Sequence, residues 1–160
     1  MTIQIGDKIP QATLNMLKDG VQAVDTAELF GGKKVVLFAV PGAFTPTCSA
    51  KHLPGYVEHF GEFTKRGIEV ACLSVNDAFV MDAWAKSQDV PAGVHMLADG
   101  NGAFTQAMGL QLDATAFGMG LRAKRFALYA EDGVVKQLHV EAPGEFKVSS
   151  AEYVLEHLPA

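Results

Sequence analysis

A mixed α/β sheet with helices packed against it is the fold class this 160-residue sequence predicts, and three stretches carry the prediction. Residues 35–41 form a continuous apolar run, and 68–75 form a second; both suit strands covered on two faces. Each run is followed by capping residues and a helical pattern, which is βαβ order. The third stretch, Arg125-Phe126-Ala127-Leu128-Tyr129-Ala130, then Glu131-Asp132-Gly133, then 134–140, reads as an antiparallel hairpin. Alternation first and a hairpin with a final helix last give a mixed sheet.

In chain order, residues 12–25 alternate around Asp19-Gly20, a hairpin turn signal, and predict an N-terminal β-hairpin. Asp25 to Phe30 can form one capped helical turn before Gly31-Gly32 and the central strand. After Cys48 a helix is expected to about Lys65, with Leu53, Tyr56, Val57 and Phe60 on its buried face and an irregularity at Pro54. Asn76-Asp77 should cap a helix carrying Phe79, Val80, Ala83 and Trp84. Residues 94–98 read as a third strand, closed by Asp99-Gly100-Asn101-Gly102, and 103–108 as a short helix; 109–120 read as irregular. Ser149 or Ser150 opens a last amphipathic helix ending near Leu158.

The chemistry centres on Cys48. Pro41-Gly42 ends the central strand, and Thr45-Pro46-Thr47 offers hydroxyl caps with a proline pre-set for a first helical turn, so Cys48 falls within that turn. Backbone N–H groups there lack intrahelical partners and the dipole is positive, which favours a thiolate. A cysteine of ordinary pKa, about 8.5, is only roughly 3% ionised at neutral pH. Bringing such a thiol to about 6 takes roughly 3.4 kcal/mol, whereas a helix terminus supplies about 0.3–1 kcal/mol. A cation must help, and Gly120-Leu121-Arg122-Ala123-Lys124-Arg125 offers Arg122 and Arg125 ahead of a strand. Thr45 can donate to a thiolate or a bound substrate, or can simply cap the helix. Pro41 can shield a thiolate from water, or can simply end the strand. His52 lies about one turn beyond Cys48, but no third orienting residue or ligand cluster accompanies it for a Cys–His nucleophile or a metal site. The local pattern leaves a reactive Cys48 and a small buried Cys48 equally open. Cys72, mid-strand, reads as buried and inert.

At 49% hydrophobic, the chain can bury one core, and a single domain, 1–160, is expected. A net charge of −5 without blocks of like charge argues against nucleic acid or an anionic membrane surface as partner. No run approaches the roughly 18 apolar residues of a spanning helix. The first eight residues lack a basic-plus-apolar leader, and two cysteines make no disulfide framework, so a cytoplasmic location is expected.

Pro41, Thr45 and Cys48 stand in the Pro-x-x-x-Thr-x-x-Cys pattern, and the stretches Cys48-Ser49-Ala50-Lys51-His52-Leu53-Pro54-Gly55-Tyr56, Leu97-Ala98-Asp99-Gly100, Lys124-Arg125-Phe126-Ala127-Leu128 and Gly144-Glu145-Phe146-Lys147-Val148-Ser149-Ser150-Ala151-Glu152 extend it. In these the sequence resembles the type II (atypical) peroxiredoxins nearly end to end. The resemblance implies a thioredoxin-like fold and a peroxidase acting on hydrogen peroxide and alkyl hydroperoxides. Cys48 would be the nucleophile, aided by Thr45, Pro41 and Arg125, with Arg122 the other basic candidate. It implies no metal or cofactor, a homodimer, and regeneration by glutathione and glutaredoxin, with thioredoxin the alternative reductant. Ser149 stands where some atypical members carry a resolving cysteine, so that intramolecular route is absent. A disulfide exchanger would want Cys-x-x-Cys, but the fourth position is Lys51. The non-enzymatic alternative is a redox-sensing or chaperone-like protein, which would consume peroxide stoichiometrically.

Overall fold

Alternation inside one apolar run organises the molecule, whose computed structural model describes residues 2–159. In β3 (Lys34–Ala39), Val36 and Phe38 enter one apolar cluster, while Val35, Leu37 and Ala39 enter another. This is the period-two behaviour of a strand buried on both faces. β4 (Ile68–Ser74) runs parallel to it with Cys72 opposite Phe38, and β5 (His95–Ala98) runs parallel to β4. Antiparallel hairpins complete both flanks. β1 (Thr13–Leu17) and β2 (Val21–Asp25) attach through the β1–β5 pairing, and β8 (Phe126–Glu131) and β9 (Val134–Val140) attach through β3–β8. The sheet order is β2-β1-β5-β4-β3-β8-β9, a mixed seven-stranded sheet. The first hairpin turns through Asp19 and Gly20 at φ 55° and 98°, the left-handed region its Asp-Gly signal predicts.

One face of the sheet is covered by α2 (Leu53–Glu58), α3 (Phe60–Lys65), α4 (Ala78–Ser87) and α6 (Ala151–His157). The other is covered by α1 (Thr26–Phe30) and α5 (Ala103–Ala107). Phe38, Tyr56, Phe63 and Trp84 are fully buried on the first face, each worth about 1.5–3 kcal/mol in apolar area removed from water. The caps fall where side-chain chemistry predicts them. Asp77 accepts from Val80 N–H at 2.8 Å, and Ser150 accepts from Tyr153 N–H at 3.2 Å.

Three expectations need correction. The helix over 48–65 is three pieces: a π-helical turn, Cys48–His52, then α2, then α3 after a break at His59 (φ −96°, ψ 8°). The turn widens because Leu53 N–H bonds back five residues to Cys48 C=O, immediately before Pro54, which has no N–H to give. Tyr56 and Phe63, seven residues apart, share the buried face with Leu53, while Val57 and Phe60 pack against that cluster half-buried. In α4 the buried face is Ala78, Met81 and Trp84; Phe79 and Ala83 are exposed, because the strand–helix connection ending at the Asp77 cap sets the rotation. Finally, 109–120 is not irregular throughout: β6 (Gln111–Asp113) pairs with β7 (Leu121–Ala123) in a small second sheet.

Candidate active site

The loop between β3 and the π-helical turn is built by four short-range constraints. Ala43 N–H donates to Asn76 Oδ1 at 3.0 Å, and the same oxygen accepts from Ser74 Oγ at 2.6 Å. Gly42 is needed for close approach: a Cβ there would meet Arg122 Nη1 at 3.1 Å and Thr45 Cγ2 at 3.2 Å. Phe44 sits at φ 66°, a left-handed conformation that costs a non-glycine residue about 1–3 kcal/mol unless its surroundings impose it. Ser49 N–H then donates to Thr45 C=O at 2.9 Å, which opens the helix and leaves Cys48 in its first turn, as the spacing predicts. The Thr45 hydroxyl donates to Gly42 C=O at 2.7 Å and does not cap the helix.

Around Cys48 runs a continuous chain of hydrogen bonds. Arg125 Nη2 donates to Cys48 Sγ at 3.1 Å, and Arg125 Nη1 donates to His52 Nδ1 at 2.8 Å. His52 Nε2 donates to Ser149 C=O at 3.0 Å, and Tyr56 Oη donates to the same carbonyl at 2.7 Å. Ser149 N–H and Oγ both donate to Glu141 Oε2, at 2.8 and 2.7 Å, and Lys147 and Val148 N–H add two more bonds to that oxygen. The geometry fixes the imidazole tautomer: Nε2 carries the proton and Nδ1 is the acceptor. Burial, then the Arg125 charge, push the His52 pKa down to about 3 against the pull of the Ser149 carbonyl. The ring is therefore neutral at physiological pH, with both nitrogens engaged and none left for the thiol. A Cys–His nucleophile pair is excluded by that arrangement.

Arg125 is thus the cation that touches the Cys48 sulfur. Phe146 lies 5.9 Å from the guanidinium carbon and supports it by cation–π contact. Arg122 braces the loop instead: its Nε donates to Met119 C=O at 2.9 Å, and Nη1 reaches Val75 C=O at 3.4 Å and Pro41 C=O at 3.5 Å. Pro41 and Arg125 line a cavity of about 580 Å³ beside the thiol, together with Thr47 and Phe146.

Cys72 and Cys48 belong to one apolar cluster, and the Cys72 pKa is pushed up by burial first and by Cys48 second. Both thiols are free. Trp84 Nε1 donates to Ser49 Oγ at 3.0 Å, fastening the residue after Cys48 to α4. Glu58, His59 and Glu152 bring three ligand atoms within 4.8 Å of one another at the surface, a trio that includes neither Cys48 nor His52.

Sequence reasoning missed the roles of His52, Glu141 and Asn76. His52 has a visible signal in its spacing from Cys48, but the partner that matters is 73 residues away. Glu141 could be flagged as a lone acid continuing an apolar strand, since Glu141 N–H still donates to Arg125 C=O at 3.0 Å.

The family model for Redoxin matches residues 4–155. Peroxiredoxin-2E, chloroplastic, from Arabidopsis thaliana is 50% identical over 98% of this chain and 70% of its own length. Peroxiredoxin-2B from the same plant is 46% identical over 98% of both chains. The crystal structure of reduced Prx3 from Vibrio vulnificus in complex with hydrogen peroxide superposes with a TM-score of 0.93 at 50% identity, covering 97% of this chain and 98% of that one. An end-to-end match of this kind, on a mixed sheet that delivers a cysteine to an arginine, establishes that the chain belongs to the type II peroxiredoxins, thiol peroxidases of thioredoxin-like fold.

Proposed function

We propose that the chain, as one domain spanning 1–160, reduces hydrogen peroxide and alkyl hydroperoxides at Cys48 and is returned to the thiol by glutathione and glutaredoxin. The observation that carries the assignment of Cys48 is the 3.1 Å contact from Arg125 Nη2 to its sulfur. The Cys48 thiolate attacks one peroxide oxygen, the O–O bond breaks, and the departing oxygen takes up a proton to leave as water or an alcohol. Cys48 becomes a sulfenic acid. Arg125 stabilises both the thiolate and the charge developing on the leaving oxygen. Because the Thr45 proton is committed to Gly42 C=O, the Thr45 oxygen is an acceptor for the peroxide O–H. Pro41, in the cavity wall, excludes water and offers no competing N–H.

An external reductant is supported by what surrounds the only other thiol. Cys72 is held mid-strand in the core with its pKa pushed up by burial, and Ser149 carries a hydroxyl, which forms no disulfide, so neither supplies a mobile resolving thiol. The unpaired state of both cysteines fits a reducing, cytoplasmic setting. Phe44 and Phe79 are 54% and 63% exposed, and the Ala43–Asn76 hydrogen bond brings their segments together. That apolar surface near the thiol supports a homodimer. Peroxide turnover measured with glutathione, glutaredoxin plus glutathione, and thioredoxin supplied separately tests the reductant. Turnover with thioredoxin alone would reject it.

A further inference from the structure

The cavity beside Cys48 has a charge opposite to that of the molecule around it. The chain carries a net −5, yet Lys51, Lys124 and Arg125 all line this one space. Its two acids offset this only in part: Glu141 Oε2 accepts four hydrogen bonds from 147–149 while its Oε1 is buried without a partner, and Glu145 lies 3.7 Å from Lys147 Nζ. Lys51 and Lys124 have no carboxylate within 4.0 Å among the described residues. Lys51 and Lys124 line the same cavity as Arg125, whose guanidinium touches Cys48 Sγ at 3.1 Å. At about 580 Å³ the cavity falls within the roughly 300–1,000 Å³ of small-molecule sites, and Phe146, Phe117 and Pro143 supply apolar wall.

We infer that Lys51 and Lys124 form a carboxylate-binding site for a small anionic thiol, of which glutathione is the proposed example, and that the site orients that thiol toward oxidised Cys48. This rests on the glutathione reading above. The bound thiolate attacks the sulfur of the Cys48 sulfenic acid. The S–O bond breaks, hydroxide leaves with a proton as water, and a mixed disulfide forms. A second molecule of thiol then attacks the outer sulfur, releasing the Cys48 thiolate and the disulfide of the small thiol.

Steady-state reduction of hydrogen peroxide by the full chain, with glutathione and with its uncharged diethyl ester as alternative reductants, tests this directly. Wild type should prefer glutathione over the ester in kcat/KM by about fivefold to tenfold, the worth of two exposed ion pairs, and the preference should shrink as salt rises. In the doubly substituted Lys51→Gln, Lys124→Gln chain the ratio should fall to about one. An unchanged ratio in that variant overturns the inference and leaves the glutathione reading standing. No turnover with glutathione in wild type, while dithiothreitol sustains it, overturns the glutathione reading and with it this site. A third arm compares a carboxylated hydroperoxide with its methyl ester: if the double variant loses discrimination only there, the lysines serve the oxidant, and the inference is wrong.

Discussion

Nδ1 of His52 accepts a 2.8 Å hydrogen bond from Arg125, so the imidazole, and not a carboxylate, fixes the edge of the guanidinium that does not face Cys48. A neutral acceptor orients the cation without cancelling its charge, which stays available to the sulfur. His52→Ala should leave the arginine swinging and lower the rate of Cys48 oxidation by hydrogen peroxide by about 10- to 100-fold, as misplaced catalytic groups do. His52→Asn, whose amide can both accept from Arg125 and donate to Ser149, should recover part of that loss. Stopped-flow fluorescence of Trp84, bonded to the residue beside Cys48, offers a readout. Equal rates in all three proteins would reject the role.

The neutral state of His52 has a cost that depends on pH. Its folded pKa, about 3, lies below the ordinary value of 6.5, so between those values the unfolded chain binds a proton that the folded chain does not. Stability is fully present above pH 6.5 and declines as pH falls toward 3, by about 1.4 kcal/mol for each pH unit. Urea unfolding at pH 7.5 and 5.0 should show this decline, and His52→Asn should flatten it. A slope unchanged by that substitution would place the pH dependence elsewhere.

Cys48→Ser should abolish turnover, whereas Cys72→Ser should retain most of it with glutathione and glutaredoxin. The proximity of the two thiols makes this a real contest, since Cys72 lies in the same apolar cluster. What separates the two equally buried thiols is the cation: Arg125 Nη2 lies 3.1 Å from Cys48 Sγ, whereas burial pushes the Cys72 pKa up and makes it a poor attacking thiolate. Peptide mapping during turnover should find Cys48 joined to the external thiol. A Cys48–Cys72 bridge would contradict the one-cysteine scheme.

Glu141→Leu should cost about 3 kcal/mol or more, because three backbone N–H groups and the Ser149 hydroxyl would lose their shared acceptor in a site only 8% exposed. Glu141→Gln keeps an acceptor and should cost less. Chemical denaturation reads both, and the leucine variant should also oxidise more slowly, since Ser149 holds His52.

What was legible in the residues was local. The apolar run of β3, the Asp77 and Ser150 caps and the helical start at Cys48 follow from side chains within a few positions of one another. The choice of Arg125 over Arg122 rested on family likeness, and the geometry supplies its physical reason. What stayed hidden depends on long-range pairing. Ser149 meets His52 across 97 residues, and the strand–helix connection sets which side of α4 is buried. Asn76 looked like a cap because asparagine before a helix commonly is one; instead Asp77 took that place and Asn76 turned toward Ala43.

The π-helical turn at Cys48–His52 stores one residue more than an α-helix of the same rise would hold. Seen as a splice, it separates two demands on a single helix: its first residue, Cys48, carries the sulfur, and the part after it seats Leu53 and Tyr56 in the core. Excising one residue from the splice would let the backbone run straight into α2, but the sulfur and the core side chains could then no longer both keep their bearings.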